Sequence, residues 1–167
     1  EQFDRRFARE LPETIRGAAF LERYGETGDP VTTVEPDREY AVRTPTRHPI
    51  EEHARVRQFA DLLEQGAVSD AAMGQLGGLM LASHESYSAC GLGSDGTDDL
   101  VERVRSVGAR GGLYGAKITG GGSGGTVAIL GRPDAEPTVR RIAEQYAADT
   151  GRPTRVFAGS SPGARPF

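Results

Sequence analysis

The chain has 167 residues, a net charge of −4 at pH 7 and one cysteine, Cys90. This length suits one domain with a core of its own, and a single cysteine excludes an internal disulfide and a cysteine metal cluster. The acidic balance gives no general reason to bind nucleic acid or an anionic membrane, and no apolar run reaches the ~18 residues of a membrane helix. A free thiol fits a reducing compartment, so we expect a cytoplasmic protein.

The first part of the chain carries short helix and strand signals. Apolar residues at helical spacing predict two short helices, which are divided near Pro12 and end at Gly25. A short strand is predicted over residues 31–34, and a second strand begins at residue 38 and stops at Pro45. The sequence begins without Met, so we expect a fragment or a processed product.

Three longer helices are predicted in the middle of the chain. The first covers residues 50–65, with Val56, Phe59, Leu62 and Leu63 as its apolar stripe. The other two cover residues 70–88 and 95–107. Ser69 is a suitable N-cap for the helix at 70–88, and Ser94 is one for the helix at 95–107.

The pattern then changes to strands. Residues 113–118 and 125–130 are predicted strands, residues 133–148 a helix, and residues 154–158 a last strand before a Gly/Ser/Pro-rich tail at 159–167. Helices beside a small antiparallel sheet indicate an α+β domain. We expect one domain over the whole chain, with a helical and extended segment at 1–37 and a core at 38–158.

A glycine-rich segment separates the two predicted strands. Its seven residues are Thr119, Gly120, Gly121, Gly122, Ser123, Gly124 and Gly125. A tight hairpin needs only one or two residues with positive φ, so this run has more glycine than a turn requires. Bare glycines let backbone N–H groups line one concavity and let an anion approach the main chain.

Neighbouring side chains extend this signal. Thr119 and Ser123 add hydroxyl groups, and Lys117 adds a cation two residues upstream. Together they suit contact with phosphate oxygens or sugar hydroxyls. The alternative is a flexible surface hairpin, and the run is neither a Walker A loop nor a GxGxxG turn that opens a helix.

Long motifs resemble a known family. Residues 115–127 (GAKITGGGSGGTV) are similar to the third motif of the GHMP kinases, and residues 43–51 and 83–98 resemble further segments of its sugar kinases. Galactokinases have a Phe at the position of Ser123 and a Cys-Pro pair in the stretch that aligns with residues 89–97. Both differences favour the arabinokinase-like branch over the galactokinases.

The resemblance implies a C-terminal domain with a ferredoxin-like antiparallel sheet packed against helices. It implies a two-domain enzyme that transfers the γ-phosphoryl of Mg-ATP to the anomeric hydroxyl of L-arabinose or a related sugar. In the family the N-terminal domain supplies the main ATP loop and the catalytic residues, so we expect no catalytic residue in this chain. The loop at 119–125 would border the phosphates and the sugar, with Lys117, Ser94 and Asp95 as accessory candidates.

The implied partners are an N-terminal kinase domain, ATP and a small sugar. Without that domain we expect the chain to lack sugar kinase activity. The N-terminal domain would dock on an apolar face of this chain, and the candidates to form that face are Phe3, Phe7 and Phe20. Exposure of such a face would favour self-association. The alternative function is a non-catalytic module that binds a sugar or nucleotide. His84 is expected to be a hydrogen-bonded structural residue, and the three histidines have no metal-ligand spacing.

Overall fold

A computed structural model describes residues 2–66, 69–120 and 125–159 of the chain. These ranges contain the six helices α1 (Gln2–Arg6), α2 (Gly17–Tyr24), α3 (Arg43–Glu64), α4 (Asp70–Ala89), α5 (Asp95–Val107) and α6 (Glu136–Thr150). They also contain the four strands β1 (Thr14–Arg16), β2 (Glu39–Ala41), β3 (Leu113–Ile118) and β4 (Val127–Gly131). The predicted α+β class is confirmed.

The centre of the fold is the antiparallel β3–β4 hairpin, in which Ile118 pairs with Val127 and Lys117 with Ala128. Helices α4 and α5 pack against β3, α3 packs against α4, and α6 packs against α5. The main core cluster lies between these elements and consists of Val101, Val104, Leu113, Ala116, Ala135 and Ile142. Burial of these apolar side chains supplies the main driving force for assembly of the hairpin and helices.

Helix α4 crosses β3 at a pair of glycines. A Cβ atom on Gly77 would lie 1.9 Å from the carbonyl oxygen of Tyr114, and one on Gly115 would lie 2.3 Å from the carbonyl oxygen of Gly77. No side chain fits at either position, so the backbones of helix and strand touch directly. This close approach brings the C-terminal half of α4 near the end of β3, where the glycine-rich segment begins.

Helix α3 begins earlier than its predicted start at residue 50. Pro45 is predicted to end the second strand, but β2 already ends at Ala41 and Pro45 lies in the first turn of α3, where a helix needs no backbone N–H donor. Pro49 lies inside the helix and removes one backbone hydrogen bond. Two members of its expected apolar stripe face outward, because Val56 and Leu63 are 57% and 55% exposed, whereas Phe59 and Leu62 are half-buried.

Two short predicted strands are wrong. Residues 31–34 form no strand because the carboxylate of Asp29 accepts hydrogen bonds from the N–H groups of Val31 (2.7 Å) and Thr32 (2.9 Å), which makes a turn. Residues 154–158 form neither strand nor helix. The hydroxyl of Thr154 donates to the carbonyl of Ala143 in α6, so this segment lies along the helix.

The N-terminal segment is more folded than its sequence signals predict. Strand β1 lies between the two short helices and pairs with β2 in a separate antiparallel sheet. Phe3, a candidate for an exposed interface, is instead buried at 4% exposure, whereas Phe7 is 48% exposed. In the described part of the chain, no helix combines the length and apolar character that crossing a membrane would require.

Candidate functional site

The glycine-rich segment leaves the sheet at a well-defined neck. The N–H of Thr119 donates to the carbonyl of Thr126 at 3.0 Å, which closes the hairpin one residue beyond the last β3–β4 pair. Gly120 and Gly125 flank the loop with φ angles of +85° and +72°, a region that other residues adopt only with strain. Both are exposed, and a Cβ atom on either would meet no heavy atom within 4 Å. Residues 121–124, which include Gly121, Gly122, Ser123 and Gly124, lie outside the described residues.

Lys117 lies in β3, two residues before Thr119, and its ammonium group forms an ion pair with helix α3. Its Nζ lies 3.2 Å from Oε1 of Glu52, and the same carboxylate accepts from the hydroxyl of Ser83 at 2.5 Å and from Nε of Arg55 at 2.7 Å. Burial by itself would raise the pKa of Glu52, but the bonds from Ser83 and Arg55 and the charge of Lys117 outweigh it and lower the pKa to about 2. The carboxylate is therefore ionised at neutral pH, and it holds the ammonium group in place.

An open pocket of about 220 Å³ lies above this polar cluster. It is lined by the cluster itself and by the apolar side chains Val56, Phe59, Leu79 and Met80. The lysine is one-third exposed, so it can also reach solvent. The pocket therefore borders the base of the glycine-rich segment and combines one apolar wall with a fixed pair of opposite charges.

His84 lies on the other side of the strand end, buried at 5% exposure. Its Nδ1 accepts from the N–H of Ile118 at 3.4 Å, and its Nε2 lies 3.3 Å from Oδ1 of Asp98 in α5. Burial lowers the pKa of His84, and the opposing effect of the Asp98 carboxylate is smaller. The hydrogen-bonded structural role expected for this histidine is what the geometry shows.

Ser94 and Asp95 stand at the beginning of α5. The Ser94 hydroxyl accepts from the N–H of Thr97, and the Thr97 hydroxyl accepts from the N–H of Ser94, which together form a capping box. Asp95 is exposed in the first turn, where a carboxylate complements the helix dipole. Both have a structural role here, and their expected role beside a ligand stays a prediction.

Sequence patterns indicate Lys117 but not its partners Glu52 and Ser83, because these come from two other helices. The one local signal is the Glu52–Arg55 pair at helical i, i+3 spacing. His48 joins α3 to α4, because its Nδ1 lies 2.8 Å from the Ser86 hydroxyl. Within the described ranges, no group of three or more His, Cys, Asp or Glu side chains is arranged to hold a metal ion.

Comparison with known proteins identifies the family. The profile of the family "GHMP kinases C terminal" matches residues 55–148, which include α4, α5, the β3–β4 hairpin and most of α6. The chain is also 47% identical to an L-arabinokinase from Arabidopsis thaliana over 174 aligned positions, which cover 99% of this chain. These positions are 17% of the length of that relative. The chain belongs to the GHMP kinase family and contains its C-terminal domain.

Proposed function

We propose that this chain is the C-terminal part of an ATP-dependent sugar-1-kinase. The reaction would transfer the γ-phosphoryl group of Mg-ATP to the anomeric hydroxyl of L-arabinose or a related sugar. The identity to an L-arabinokinase over nearly the whole chain supports this substrate class. ATP and Mg²⁺ would bind mainly to an N-terminal kinase domain, consistent with a match to only 17% of the relative's length.

The geometry that carries the proposal is the exposed neck of the glycine-rich segment. Positive φ at Gly120 and Gly125 turns the backbone out of the sheet between two firmly paired strands. Exposed backbone N–H groups in such a turn are suited to anionic oxygens. Thr119 through Gly125 would therefore meet phosphate or sugar oxygens where the two domains come together.

Lys117 would support this loop with charge. Its ammonium group has three donors, and the hydrogen bond to Glu52 uses one of them. The others remain able to meet a phosphate oxygen or a bridging water. Glu52 is ionised and also bonded to Arg55. Its carboxylate therefore holds Lys117 in position and partly offsets the positive charge of the ammonium group. Phosphoryl transfer depends on such positioning and on charge stabilisation.

Kinetics of the product of the complete reading frame, the full-length protein, test the proposal. We expect Thr119→Ala and Lys117→Met to lower kcat/KM with ATP and L-arabinose by roughly 10- to 100-fold, since a hydrogen bond to a charged group contributes about 1.5–3 kcal/mol. Gly74→Ala is the matched control, because a Cβ atom there meets nothing within 4 Å. Wild-type kinetics in both loop variants would refute the role of this loop.

The same assay distinguishes the proposed sugar kinase from the alternative, a non-catalytic binding module. A non-catalytic module would bind ATP or a sugar without turnover in the full-length protein. Product formation from a panel of free sugars therefore decides between the two functions. Binding measured without any product would favour the module.

A further inference from the structure

His84 is a buried ionisable group that the proposed reaction does not use. It projects from α4 and contacts two other elements, the end of β3 through Ile118 and the first turns of α5 through Asp98. A buried polar side chain is retained at a cost in desolvation unless its hydrogen bonds are satisfied. Both ring nitrogens of His84 have partners, so the residue acts as a connection between two elements.

The direction of its hydrogen bonds follows from the partners. The N–H of Ile118 can only donate, so Nδ1 of His84 must carry a lone pair. The ring proton is therefore on Nε2, which donates to the carboxylate of Asp98. The same Oδ1 atom of Asp98 also accepts from the hydroxyl of Ser88 at 3.1 Å. The neutral ring with its proton on Nε2 is the one form that satisfies all these groups.

The contact with Ile118 lies immediately before the glycine-rich segment. The N–H of Thr119 points toward β4, because it donates to the carbonyl of Thr126. Alternate N–H groups along a strand point in opposite directions, so the N–H of Ile118 points away from β4. Among the described residues, β3 pairs with β4 alone, and His84 supplies the acceptor that this outer edge lacks.

The contact with Asp98 leads to a second glycine-rich turn. Asp98 lies in the first turn of α5, and its N–H donates to the carbonyl of Ser94. A Cβ atom on Gly93 would lie 2.6 Å from the Ser88 hydroxyl and 3.0 Å from Oδ1 of Asp98. The backbone of this turn is therefore packed directly on the groups that Nε2 of His84 faces.

We propose that His84 is a positioning residue that couples the end of β3, where the glycine-rich segment begins, to the turn at 91–94. Its effect on phosphoryl transfer, which rests on the proposed function, would pass through Ile118 to the loop. The residue touches neither ATP nor the sugar in this scheme. One side of the ring fixes where the loop leaves the strand, and the other side fixes where α5 begins.

Two substitutions separate the two sides of the ring. His84→Asn keeps a side-chain oxygen at the place of Nδ1 and loses the group at Nε2. His84→Gln keeps a donor near the place of Nε2 and loses the acceptor at Nδ1. His53→Asn is the control, because His53 is exposed on α3.

The first readout is independent of activity and uses NMR spectra of the 167-residue chain. We expect the ring ¹⁵N shifts of His84 to show the form with its proton on Nε2. We expect the Ile118 amide to keep its shift and slow exchange in His84→Asn and to lose both in His84→Gln. An Nδ1-protonated ring, or an Ile118 amide that is the same in all variants, would overturn the proposal.

The second readout is the kinetics of the full-length protein. We expect kcat/KM for ATP to fall by roughly 10- to 100-fold in His84→Gln, as for other misplaced groups, and to fall clearly less in His84→Asn, which keeps the acceptor for the Ile118 N–H. Equal losses in both variants, in step with lost stability, would reduce His84 to a structural residue and overturn the coupling. If wild type itself forms no product, the proposed function fails while the NMR result still tests the contact.

Asp98→Ala keeps the test decisive if substitution of the buried ring prevents folding. This variant leaves His84 in place and removes the acceptor for Nε2. We expect a partial population of the Nδ1-protonated ring and a broadened Ile118 amide, because the Ile118 N–H alone then opposes that form. An unchanged tautomer and an unchanged Ile118 amide would count against coupling across the ring.

Discussion

Glu52 connects three elements through one carboxylate. It accepts from Ser83 of α4 and Arg55 of its own helix, and it pairs with Lys117 of β3. Its side chain is 22% exposed, so its charge is screened less than that of a surface ion pair. We therefore expect this carboxylate to contribute both to stability and to the position of the lysine at the base of the loop.

Glu52→Gln should lower the free energy of unfolding at pH 7 by about 1–3 kcal/mol, because charged hydrogen bonds become neutral ones. The folded state lowers the pKa of this group to about 2 from an ordinary value of 4.5. Its contribution is therefore complete above pH 4.5 and is lost as the pH falls toward 2. Urea unfolding of wild type and variant at about pH 7 and about pH 3 measures both effects.

The control for this prediction is Glu64→Gln, at an exposed position near the end of the same helix. A surface change of this kind should alter stability by no more than about 0.5 kcal/mol. If Glu52→Gln behaved like the control at neutral pH, the ion pair with Lys117 would not stabilise the fold.

His84 should make the free energy of unfolding depend on pH at higher pH values than Glu52 does. Burial lowers its pKa from the ordinary 6.5, although Asp98 and Glu85 oppose that effect, while Arg105 and Lys117 add to it. The neutral ring therefore stabilises the fold fully above pH 6.5, and this contribution decreases as the pH falls through the lower pKa of the folded state. Unfolding measured from about pH 7.5 to about pH 5 should show a steeper decrease for wild type than for His84→Asn, and parallel curves would contradict this assignment.

At the scale of elements, the crossing of α4 over β3 sets the distance between helix and strand. Gly77→Ala should destabilise the chain by about 1–3 kcal/mol, because the added methyl group meets the backbone of Tyr114 and forces the elements apart. Gly78→Ala is the matched control in the next position of the helix, where a Cβ atom meets nothing within 4 Å. That change should stabilise the helix by about 0.5–1 kcal/mol.

Thermal or urea unfolding of the two variants checks this pair. Because both replace a helical glycine by alanine, their helix propensities change equally, and the difference between them reports the crossing alone. Similar stabilities for the two variants would show that α4 does not lie directly on β3 at Gly77.

The elements that sequence patterns predict best are those with local causes. Ser69 and Ser94 cap α4 and α5 as expected, since an N-cap needs only its own next turn. Strands β3 and β4 also form close to their predicted bounds. Pro49 suggests the wrong start for α3, because a proline can also lie inside a helix at the cost of one backbone hydrogen bond.

Contacts between distant segments could not be predicted in this way. Lys117 depends on Glu52, which lies 65 positions earlier in the chain, and the link from His84 to Ile118 depends on how α4 lies over the strand. Residues 154–158 have the composition of a strand, but Thr154 meets α6 instead. Tertiary packing decides such cases, and local propensity does not.

At the scale of the whole molecule, the outward face of α3 is the surface on which we expect a partner to bind. Val56 and Leu63 are seven residues apart on one side of the helix, and both are more than half exposed. Phe59 lies between them in the wall of the pocket. Apolar side chains grouped on one face mark an interaction surface more often than isolated ones do.

We expect the isolated chain to self-associate through this face at micromolar or higher concentration. Analytical ultracentrifugation should show a concentration-dependent increase in mass, and the double substitution Val56→Glu with Leu63→Glu should abolish it. Val31→Glu is the control, because Val31 is 88% exposed but lies outside the helix. A monomer at every concentration, or association that survives the double substitution, would argue against an α3 interface.

The most direct test of the sugar kinase assignment is product formation from Mg-ATP and L-arabinose. It should be measured in parallel for the 167-residue chain alone and for the product of the complete reading frame, the full-length protein. We expect a sugar 1-phosphate from the full-length protein and none from the chain, because the chain would supply only the loop at 119–125 and its supports. Turnover by the chain alone, or a full-length protein that phosphorylates no free sugar, would contradict the assignment.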